Sequence, residues 1–457
     1  MRHSKLAFFL LAFLLFASCA PAQPAGKMDV ITHPDGPLYV GDQVSFEVLA
    51  PNTTKMQDST IEVKFNGQTL GSASFAPFGI GGRNQATLWW IWNTRDLKPG
   101  RYTLTFTRLP DNFTWAETVS LRPAGQLPPP EPDAHWASTT TECCKLYYIT
   151  GTAAERDIAT LSQEADAQSA AVADQMDSKP NRRIDLVFMS RLVGHGGFTW
   201  DGIIYISYLD GNYIGNDIPI LFHHEFVHYY DSAKGDNYRP SFFQEGLAVY
   251  LSGGHFKPEP LVARAAALLD TGWYIPLATV ADDFYNQQHD IGYLEAATLV
   301  KYLVDTYGWG AFNEFYRAIP APDGQADSVV IDAALRKNFG ISFADLETAY
   351  LAYLRVQPFT DSQRTDLLLT VEFFDTVRRY QEALDPSAYF LTAWLPNGSV
   401  MRQRNIVADF LRHPTGWENQ LIESLLNHAH AELFSGNYAD AENTLKWTNR
   451  LLDNLTP

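Results

Sequence analysis

Cysteine is scarce in this chain. Its 457 residues contain three cysteines, of which Cys143 and Cys144 are neighbours. Consecutive Cα atoms lie about 3.8 Å apart, which is below the usual range for a disulfide. We therefore expect no ordinary bridge between them, while a vicinal disulfide and a pair of buried thiols both remain open. Because Cys19 is assigned below to processing, the sequence excludes a disulfide framework.

Positive charge is also in short supply. The chain has 34 Lys and Arg residues against 52 Asp and Glu residues, which gives a formal net charge of −18. A nucleic-acid partner is therefore not expected, because phosphate backbones are bound by basic surfaces. No repeat array of fixed period is visible. The length is sufficient for two or three domains with cores of their own.

The apolar run at the N-terminus is too short for a membrane-spanning helix. It covers Leu6–Ala17 behind a few basic residues, whereas a span needs about 20 residues. This pattern is typical of a signal peptide, which we assign to residues 1–19. The segment Leu15–Cys19 resembles a bacterial lipobox. That resemblance implies an exported protein of the cell envelope, lipid-anchored through Cys19 to the outer surface of a membrane. Phe16 replaces the usual leucine, which leaves simple secretion as the alternative.

After a tether at residues 20–27, the sequence changes to short alternating strands. Segments such as Gln43–Leu49 and Arg101–Phe106 have this pattern, and Asn66-Gly67 marks a turn between strands. About seven such strands predict an all-β sandwich of immunoglobulin-like type over residues 28–123.

Three tryptophans, Trp89, Trp90 and Trp92, lie close together in this domain. They have two interpretations. They form either a sugar-binding platform, with a cell-envelope polymer as the partner of the domain, or sandwich core with an edge contact. We favour the core, because large aromatic side chains commonly fill the interior of such domains.

A proline-rich linker at residues 124–134 marks the clearest domain boundary and is predicted to be extended. A catalytic domain with mixed strands and helices follows at residues 135–358, and residues 359–457 are all helical in pattern. Within that last region, Asn419–Leu452 predicts a helical hairpin that resembles a single tetratricopeptide unit. We expect it to pack on the catalytic domain, with peptide docking as the alternative.

The most informative segment is Ile218–Asp231, which contains the pattern His224-Glu225-x-x-His228. On a helix, residues i and i+4 lie on the same face. His224 and His228 can therefore offer two imidazoles to one metal ion, with Glu225 beside them to handle a proton. His223 has no matching ligand four residues on and is expected to be a packed histidine.

A second helix, Ser241–Leu251, is predicted to supply the third ligand. Two short antiparallel helices would bring Glu245 over the histidine pair. A His, His, Glu set leaves a fourth tetrahedral position open, as a catalytic zinc site requires. Gly246 supports this arrangement, because a glycine inside a helix costs roughly 1 kcal/mol against alanine and indicates a close approach of the two helices. The alternative is that Glu245 lies on a solvated helix face.

The paired motifs His-Glu-x-x-His and Phe242-x-x-Glu245-Gly246-x-Ala248 resemble those of the gluzincin metallopeptidases, and most closely the aminopeptidase N-like branch. Phe242 stands where that branch has tryptophan, and the loop between the motifs is slightly shorter. The resemblance implies a thermolysin-like α+β domain, Zn2+ as the cofactor, and a peptide or protein as the substrate.

The resemblance also implies a hydrogen-bond donor for the reacting carbonyl oxygen. Tyr293 falls where the family has such a tyrosine at the start of a helix. The alternative is that Tyr293 is one more packed aromatic among 22 tyrosines. Tyr285 and Tyr302 are the nearest other candidates for the donor.

A substrate-binding strand is implied in the same way. The segment Gly202–Tyr208 falls where an edge strand of the family pairs with the substrate backbone. The residues implicated are Gly202, Ile203, Ile204 and Tyr205. The hallmark Gly-x-Met-Glu-Asn, which holds a free amino terminus, is absent, and Gly194–Gly197 stands roughly there instead. Cleavage inside a chain and cleavage at its end therefore both remain open.

Together these residues predict zinc-dependent hydrolysis of peptide bonds. Zinc would lower the pKa of a bound water from about 15.7 toward 7, and Glu225 would take its proton and pass it to the leaving amine. The alternative is a catalytically inactive scaffold or binding lipoprotein that has kept the peptidase fold. The intact ligand set beside Glu225 favours the enzyme.

Overall fold

The computed structural model describes residues 27–51, 56, 58–78, 83–178, 182–192, 196–235, 237–386 and 397–455. The expected signal peptide and the lipidation site at Cys19 lie outside these residues. Within the described part of the chain, no helix is both long and apolar enough to cross a membrane. The elements confirm a β-rich N-terminal domain and a helical C-terminal region, with a mixed region between them.

The described residues of the N-terminal domain form eight strands, one more than expected. They are β1 (Asp29–His33), β2 (Leu38–Tyr39), β3 (Gln43–Leu49), β4 (Thr60–Phe65), β5 (Gln68–Phe78), β6 (Arg83–Asn93), β7 (Gly100–Leu109) and β8 (Phe113–Arg122). Their hydrogen-bonded order is β1-β3-β6-β5-β4-β7-β8-β2. The first part of β5 pairs with β4 and its last part with β6. Strand β5 therefore joins two sheet halves.

The inner faces of the two halves share one core. Phe46 of β3 and Phe106 of β7 meet edge to face in it, with ring centroids 5.4 Å apart. Trp92 is 1% exposed in the same core. Trp90 has a φ of +49° next to a register shift between β3 and β6, and it turns out of this core. It is nevertheless only 3% exposed. Trp90 and Trp92 are therefore not part of an open platform.

The linker differs from the extended segment expected. It contains two short 3-10 turns, at Ala124–Gln126 and Glu131–Asp133. The carboxylate of Glu131 also contacts the guanidinium of Arg412. The proline-rich sequence is therefore fixed by a partner from the far end of the chain, which local composition does not reveal.

A five-stranded sheet follows the linker. Its strands are β9 (Trp136–Thr140), β10 (Cys144–Ile149), β11 (Ile184–Met189), β12 (Gly197–Trp200) and β13 (Ile203–Ser207). Their order is β12-β13-β11-β10-β9, and the two outermost strands run antiparallel to their neighbours. The hairpin between β12 and β13 turns at Asp201 and Gly202. Their φ angles of +50° and +69° are those of a tight hairpin turn.

Helices make up most of the rest of the described chain. They are α1 (Ala153–Gln175), α2 (Ile218–Ser232), α3 (Ser241–Ser252), α4 (Leu261–Thr271), α5 (Leu277–Asp282), α6 (His289–Tyr307), α7 (Trp309–Arg317), α8 (Asp327–Phe339), α9 (Phe343–Arg355), α10 (Asp361–Leu384), α11 (Gly398–Gln403), α12 (Ala408–Leu411), α13 (Trp417–Ser435) and α14 (Tyr438–Leu455). Ser342 caps α9, since its hydroxyl accepts a hydrogen bond from the N–H of Asp345 at 3.0 Å. Helices α13 and α14 form the expected hairpin. It shares a core with α10 and with Tyr213 and Phe256 of the mixed region.

Cys143 and Cys144 form a vicinal disulfide, which is one of the two states left open by the sequence. Cys144 is buried at the start of β10. The N–H of Cys143 donates to the carboxylate of Asp166 on α1 at 2.9 Å. The pair therefore lies where the start of β10 packs against α1.

A strap, residues 397–412, lies between the N-terminal domain and the five-stranded sheet. The indole N–H of Trp90 donates to Asp409 at 2.8 Å. The guanidinium of Arg412 donates to both carboxylate oxygens of Asp42, each at 2.8 Å. Apolar side chains of the strap and the sheet complete the contact: Val187, Met189, Tyr205, Met401, Ile406 and Phe410. The N-terminal domain is thus joined to the rest of the molecule through the strap.

Candidate metal centre

Helix α2 carries the His-Glu-x-x-His motif through the interior. It begins after Asp217, whose carboxylate accepts a hydrogen bond from the N–H of Ile220 at 3.1 Å. Pro219 occupies the first turn, where its missing N–H needs no partner. Every residue from Leu221 to Asp231 is buried. The motif histidines are therefore enclosed by protein.

Helix α3 brings Glu245 to the histidine pair. Gly246, the next residue, lies at a close contact between two helices, as its presence suggested. The partner of α3 at this contact is α6 and not α2. A Cβ on Gly246 would lie 2.6 Å from the carbonyl oxygen of Ala296 on α6. Consecutive helical residues point about 100° apart. Glu245 therefore faces α2 while Gly246 faces α6, and the expected Gly246 contact with the first metal helix is wrong.

The three candidate ligands converge on one point. The Nε2 atoms of His224 and His228 lie 3.0 Å apart, and Glu245 Oε2 lies 3.2 Å from each of them. In a tetrahedral site with zinc–ligand bonds of about 2.0–2.2 Å, two ligand atoms lie roughly 3.3 Å apart. The triangle therefore has the size that one ion requires. It is the only group of three His, Cys, Asp or Glu side chains with such convergence among the described residues.

The surroundings of the ligands also favour a cation. Burial acts to lower the pKa of His228, but the carboxylates of Glu245 and Glu225 outweigh it and raise that pKa to about 9. Burial acts to raise the pKa of Glu245, yet His228 and His224 hold it well below its usual range. The site thus stabilises positive charge between the imidazoles and the carboxylate, and a divalent cation provides such charge.

Glu225 reaches from α2 to strand β12. Its Oε2 accepts a hydrogen bond from the hydroxyl of Thr199 at 2.7 Å. Gly197 leaves room for it, since a Cβ there would lie 2.5 Å from Oε1. Burial raises the pKa of Glu225, and the nearby His228 and His224 oppose that rise. The carboxylate is therefore fixed beside the ligands with an increased affinity for a proton.

Two tyrosines approach the same ligand carboxylate. The hydroxyl of Tyr285 donates to Glu245 Oε1 at 2.8 Å, although half of the Tyr285 side chain is exposed. The ring of Tyr293, near the start of α6, lies 6.3 Å from the ring of His224. Burial raises the pKa of Tyr293 well above its usual value, and the charge of Glu245 raises it further. Both phenols therefore keep a proton to donate.

An aromatic stack holds Tyr293 in place. The ring of His255 lies nearly parallel to it at 4.0 Å, and the ring of His289 lies 4.5 Å away. Neither histidine was singled out from the sequence. Tyr302, the third candidate donor, packs instead against Tyr350 on α9, with ring centroids 5.7 Å apart. The structure thus brings two of the three tyrosines to the site.

The strand expected to bind substrate is not the edge strand. β13, which contains Ile203, Ile204 and Tyr205, pairs with β12 on one side and with β11 on the other. Its backbone hydrogen-bonding groups are therefore already used, and Gly202 lies in the hairpin turn. The prediction of Gly202, Ile203, Ile204 and Tyr205 as substrate-pairing residues is wrong. Strand β12, which precedes them in the sequence, forms that edge of the sheet.

His223 is a packed histidine, as expected. Its Nδ1 lies 2.7 Å from the side-chain amide of Gln168, and its Nε2 lies 2.8 Å from that of Gln175. Burial lowers the pKa of His223 to about 4. It joins α2 to α1 and takes no part in the ligand triangle.

Besides His255 and His289, three residues at the site had no role in the sequence analysis or only a secondary one: Gly197, Thr199 and Tyr285. A signal for the first two was present. In the segment Gly197-Phe198-Thr199-Trp200, alternate residues of a strand share a face, and this strand comes directly before the hairpin turn. Gly197 and Thr199 therefore lie on one face, and the contact with Glu225 shows that this face is the one toward α2.

No protein-family model matches the chain, and no curated protein matches it. One similar solved structure is that of an aminopeptidase N family protein from Idiomarina loihiensis, which is 12% identical in sequence. The alignment covers 73% of this chain and 76% of that chain, at a TM-score of 0.28. This similarity is too distant to assign a family.

Proposed function

We propose that this protein is a zinc metallopeptidase of gluzincin type, with a thermolysin-like α+β domain at residues 135–358, that hydrolyses peptide bonds. The observation that carries the proposal is the buried triangle of His224 Nε2, His228 Nε2 and Glu245 Oε2, with sides of 3.0, 3.2 and 3.2 Å. Three protein ligands leave the fourth tetrahedral position open, which is typical of a catalytic rather than a structural zinc site.

The residues around the triangle have the chemistry that peptide hydrolysis needs. Zinc held by the three ligands would supply Lewis-acid polarisation of the water and of the peptide carbonyl. Glu225 would accept the proton of the attacking water and return it to the nitrogen of the leaving amine. The hydroxyl of Tyr293 or Tyr285 would donate a hydrogen bond to the carbonyl oxygen as negative charge develops on it.

The edge of β12 supports the binding of an extended peptide. The N–H of Ser207 donates to the carbonyl of Gly196 at 2.7 Å, and hydrogen-bonded and non-hydrogen-bonded pairs alternate along an antiparallel ladder. The N–H and C=O groups of Gly197 and Thr199 therefore point away from β13, along the outer edge. A peptide can add to such an edge as a further strand, and this edge lies beside Glu225.

The test is to measure zinc content and cleavage of a mixed peptide pool, with Glu225→Gln as the matched control. We expect about one zinc per chain in both proteins and cleavage by the wild type alone, because an amide cannot accept the proton of the water. Zinc without cleavage of any peptide or protein would instead favour an inactive scaffold or binding lipoprotein. Absence of zinc from both proteins after incubation with the ion would contradict the metal site itself.

We further propose, from the N-terminal sequence alone, that the protein is exported and lipid-anchored through Cys19. Cys19→Ala should then move the protein from the membrane to the soluble fraction of the cell, with its peptidase activity retained. Membrane attachment that persists in this variant would contradict the anchor.

A further inference from the structure

Strand β12 has two different faces. Phe198 and Trp200 are 37% and 49% exposed, with their rings stacked at 6.3 Å. Gly197 and Thr199 alternate with them and face α2. The strand that offers its edge to a substrate is therefore also the strand against which Glu225 rests. The two residues on the inner face of β12, Gly197 and Thr199, both lie against that carboxylate.

The hydroxyl of Thr199 makes a specific contact with Glu225. Its Oγ1 lies 2.7 Å from Oε2 of the carboxylate and 3.3 Å from the main-chain oxygen of the same residue. A hydroxyl has a single proton to donate, and the shorter contact is the one to the carboxylate. Hydrogen bonds to a charged acceptor are roughly twice as strong as neutral ones. This bond therefore restrains the rotation of a side chain that would otherwise turn about its terminal bond.

The other carboxylate oxygen is placed by space rather than by a donor. A Cβ on Gly197 would lie 2.5 Å from Oε1, so Oε1 occupies the room that the glycine leaves. Oε1 accepts no hydrogen bond from any side chain or backbone N–H in the part of the chain that the structure describes. The two oxygens are therefore different: Oε2 is bound by Thr199, and Oε1 keeps its lone pairs.

We propose that Thr199 is a positioning residue for Glu225: its hydroxyl holds Oε2 so that Oε1 is the atom that takes the proton. The inference rests on the proposed function. The proton of the attacking water passes to Oε1 while the water oxygen bonds to the carbonyl carbon. It then passes from Oε1 to the amine nitrogen as the C–N bond breaks. The proton of the Thr199 hydroxyl stays on Thr199 throughout.

The experiment compares two substitutions of Thr199 with a control on the same sheet. Thr199→Val has nearly the same shape but no hydroxyl, whereas Thr199→Ser keeps the hydroxyl. Thr139→Val makes the same change on β9, the opposite edge strand. Loss of a residue that hydrogen-bonds to a side chain of a metal site typically costs about 10- to 100-fold in activity. We therefore expect kcat to fall by that factor in Thr199→Val, while KM and zinc content stay within about twofold of the wild type.

Rescue by the conservative variant separates positioning from packing. Thr199→Ser should retain kcat within about threefold of the wild type, and Thr139→Val should be indistinguishable from it. If Thr199→Val keeps full turnover, or if Thr199→Ser is as slow as Thr199→Val, then the hydroxyl does not position the base and the inference is wrong.

A second measurement tests the contact without using activity. Thermal unfolding of the metal-free protein is followed for Thr199→Val, Glu225→Ala and the double variant. If the bond exists, Thr199→Val lowers the melting temperature of the wild type more than that of Glu225→Ala, because residues in contact are not additive. Equal losses in both backgrounds would overturn the inference. A wild type that cleaves nothing would refute the proposed function instead, and the unfolding cycle keeps these two failures distinguishable.

Discussion

The substitution Gly197→Ala offers a sharp test of how Glu225 is placed. The added Cβ would lie 2.5 Å from Glu225 Oε1 and 2.6 Å from Cδ1 of Leu221, whereas ordinary contacts begin at 3.4 Å. The leucine methyl group can turn aside. The carboxylate of Glu225 is hydrogen-bonded through Oε2 to Thr199. If the carboxylate moves away from the added Cβ, that hydrogen bond breaks. The backbone of Gly197 needs no unusual angle. The effect of the substitution is therefore steric.

The expected loss follows from the overlap. Relief of the clash moves the carboxylate by about 0.9 Å, and a misplacement of about 1 Å can cost roughly a hundredfold in rate. We therefore expect kcat to fall by about a hundredfold, with zinc content unchanged. Overpacking of this kind should also lower the free energy of unfolding by about 1–3 kcal/mol.

The assay is steady-state peptide hydrolysis, with zinc content measured on the same samples. Gly211→Ala is the matched control, because a Cβ at Gly211 has open space within 4 Å, and it should behave as wild type. If Gly197→Ala binds zinc normally and keeps kcat within about threefold of the wild type, then Glu225 does not act from the position described and the reasoning is refuted.

Three further predictions concern the ligands and the donor. Glu245→Ala should weaken zinc binding by more than about 100-fold, because loss of a residue that merely supports a ligand already costs about 10- to 100-fold. Normal affinity on titration with zinc would place the third ligand elsewhere. Tyr293→Phe should lower kcat by about a hundred- to a thousandfold at constant KM, and if Tyr285→Phe does so instead, the donor is Tyr285. The raised pKa of His228 stabilises the metal-free fold below pH 6.5, and this contribution is lost as the pH rises through about 9. Melting temperatures should therefore fall more steeply over that range without zinc than with it, and parallel curves would contradict the coupling.

Local patterns in the sequence were sufficient to predict the helices that hold the candidate metal ligands. His224 and His228 are four residues apart on one helix, so periodicity alone places them together. Glu245 required a further step, because its position depends on how α3 turns back on α2. The β-rich domain and the C-terminal helices were also predictable, since their signals are short-range alternation, turn residues and helical periodicity.

Properties set by the order of strands were not predictable in this way. Asp201-Gly202 is a typical hairpin turn sequence, but a hairpin does not reveal which of its two strands lies outermost. That depends on whether β11 pairs with β12 or with β13. The assignment of substrate binding to Ile203 and its neighbours failed for this reason. The contact between Gly246 and Ala296 similarly depends on a third helix that the local pattern does not contain.

The strap between the two parts of the molecule has a consequence for biosynthesis. Trp90 and Asp409 form a hydrogen bond although they lie 319 residues apart in the sequence. At about 5–20 residues per second, a ribosome needs roughly 15–65 s to make that length. The N-terminal domain therefore emerges well before the strap has been synthesised. The strap is the segment that covers Trp90 and neutralises Asp42. During that interval an indole and a carboxylate that end up buried face solvent, or a chaperone. Completion of the first domain to be translated thus depends on one of the last segments.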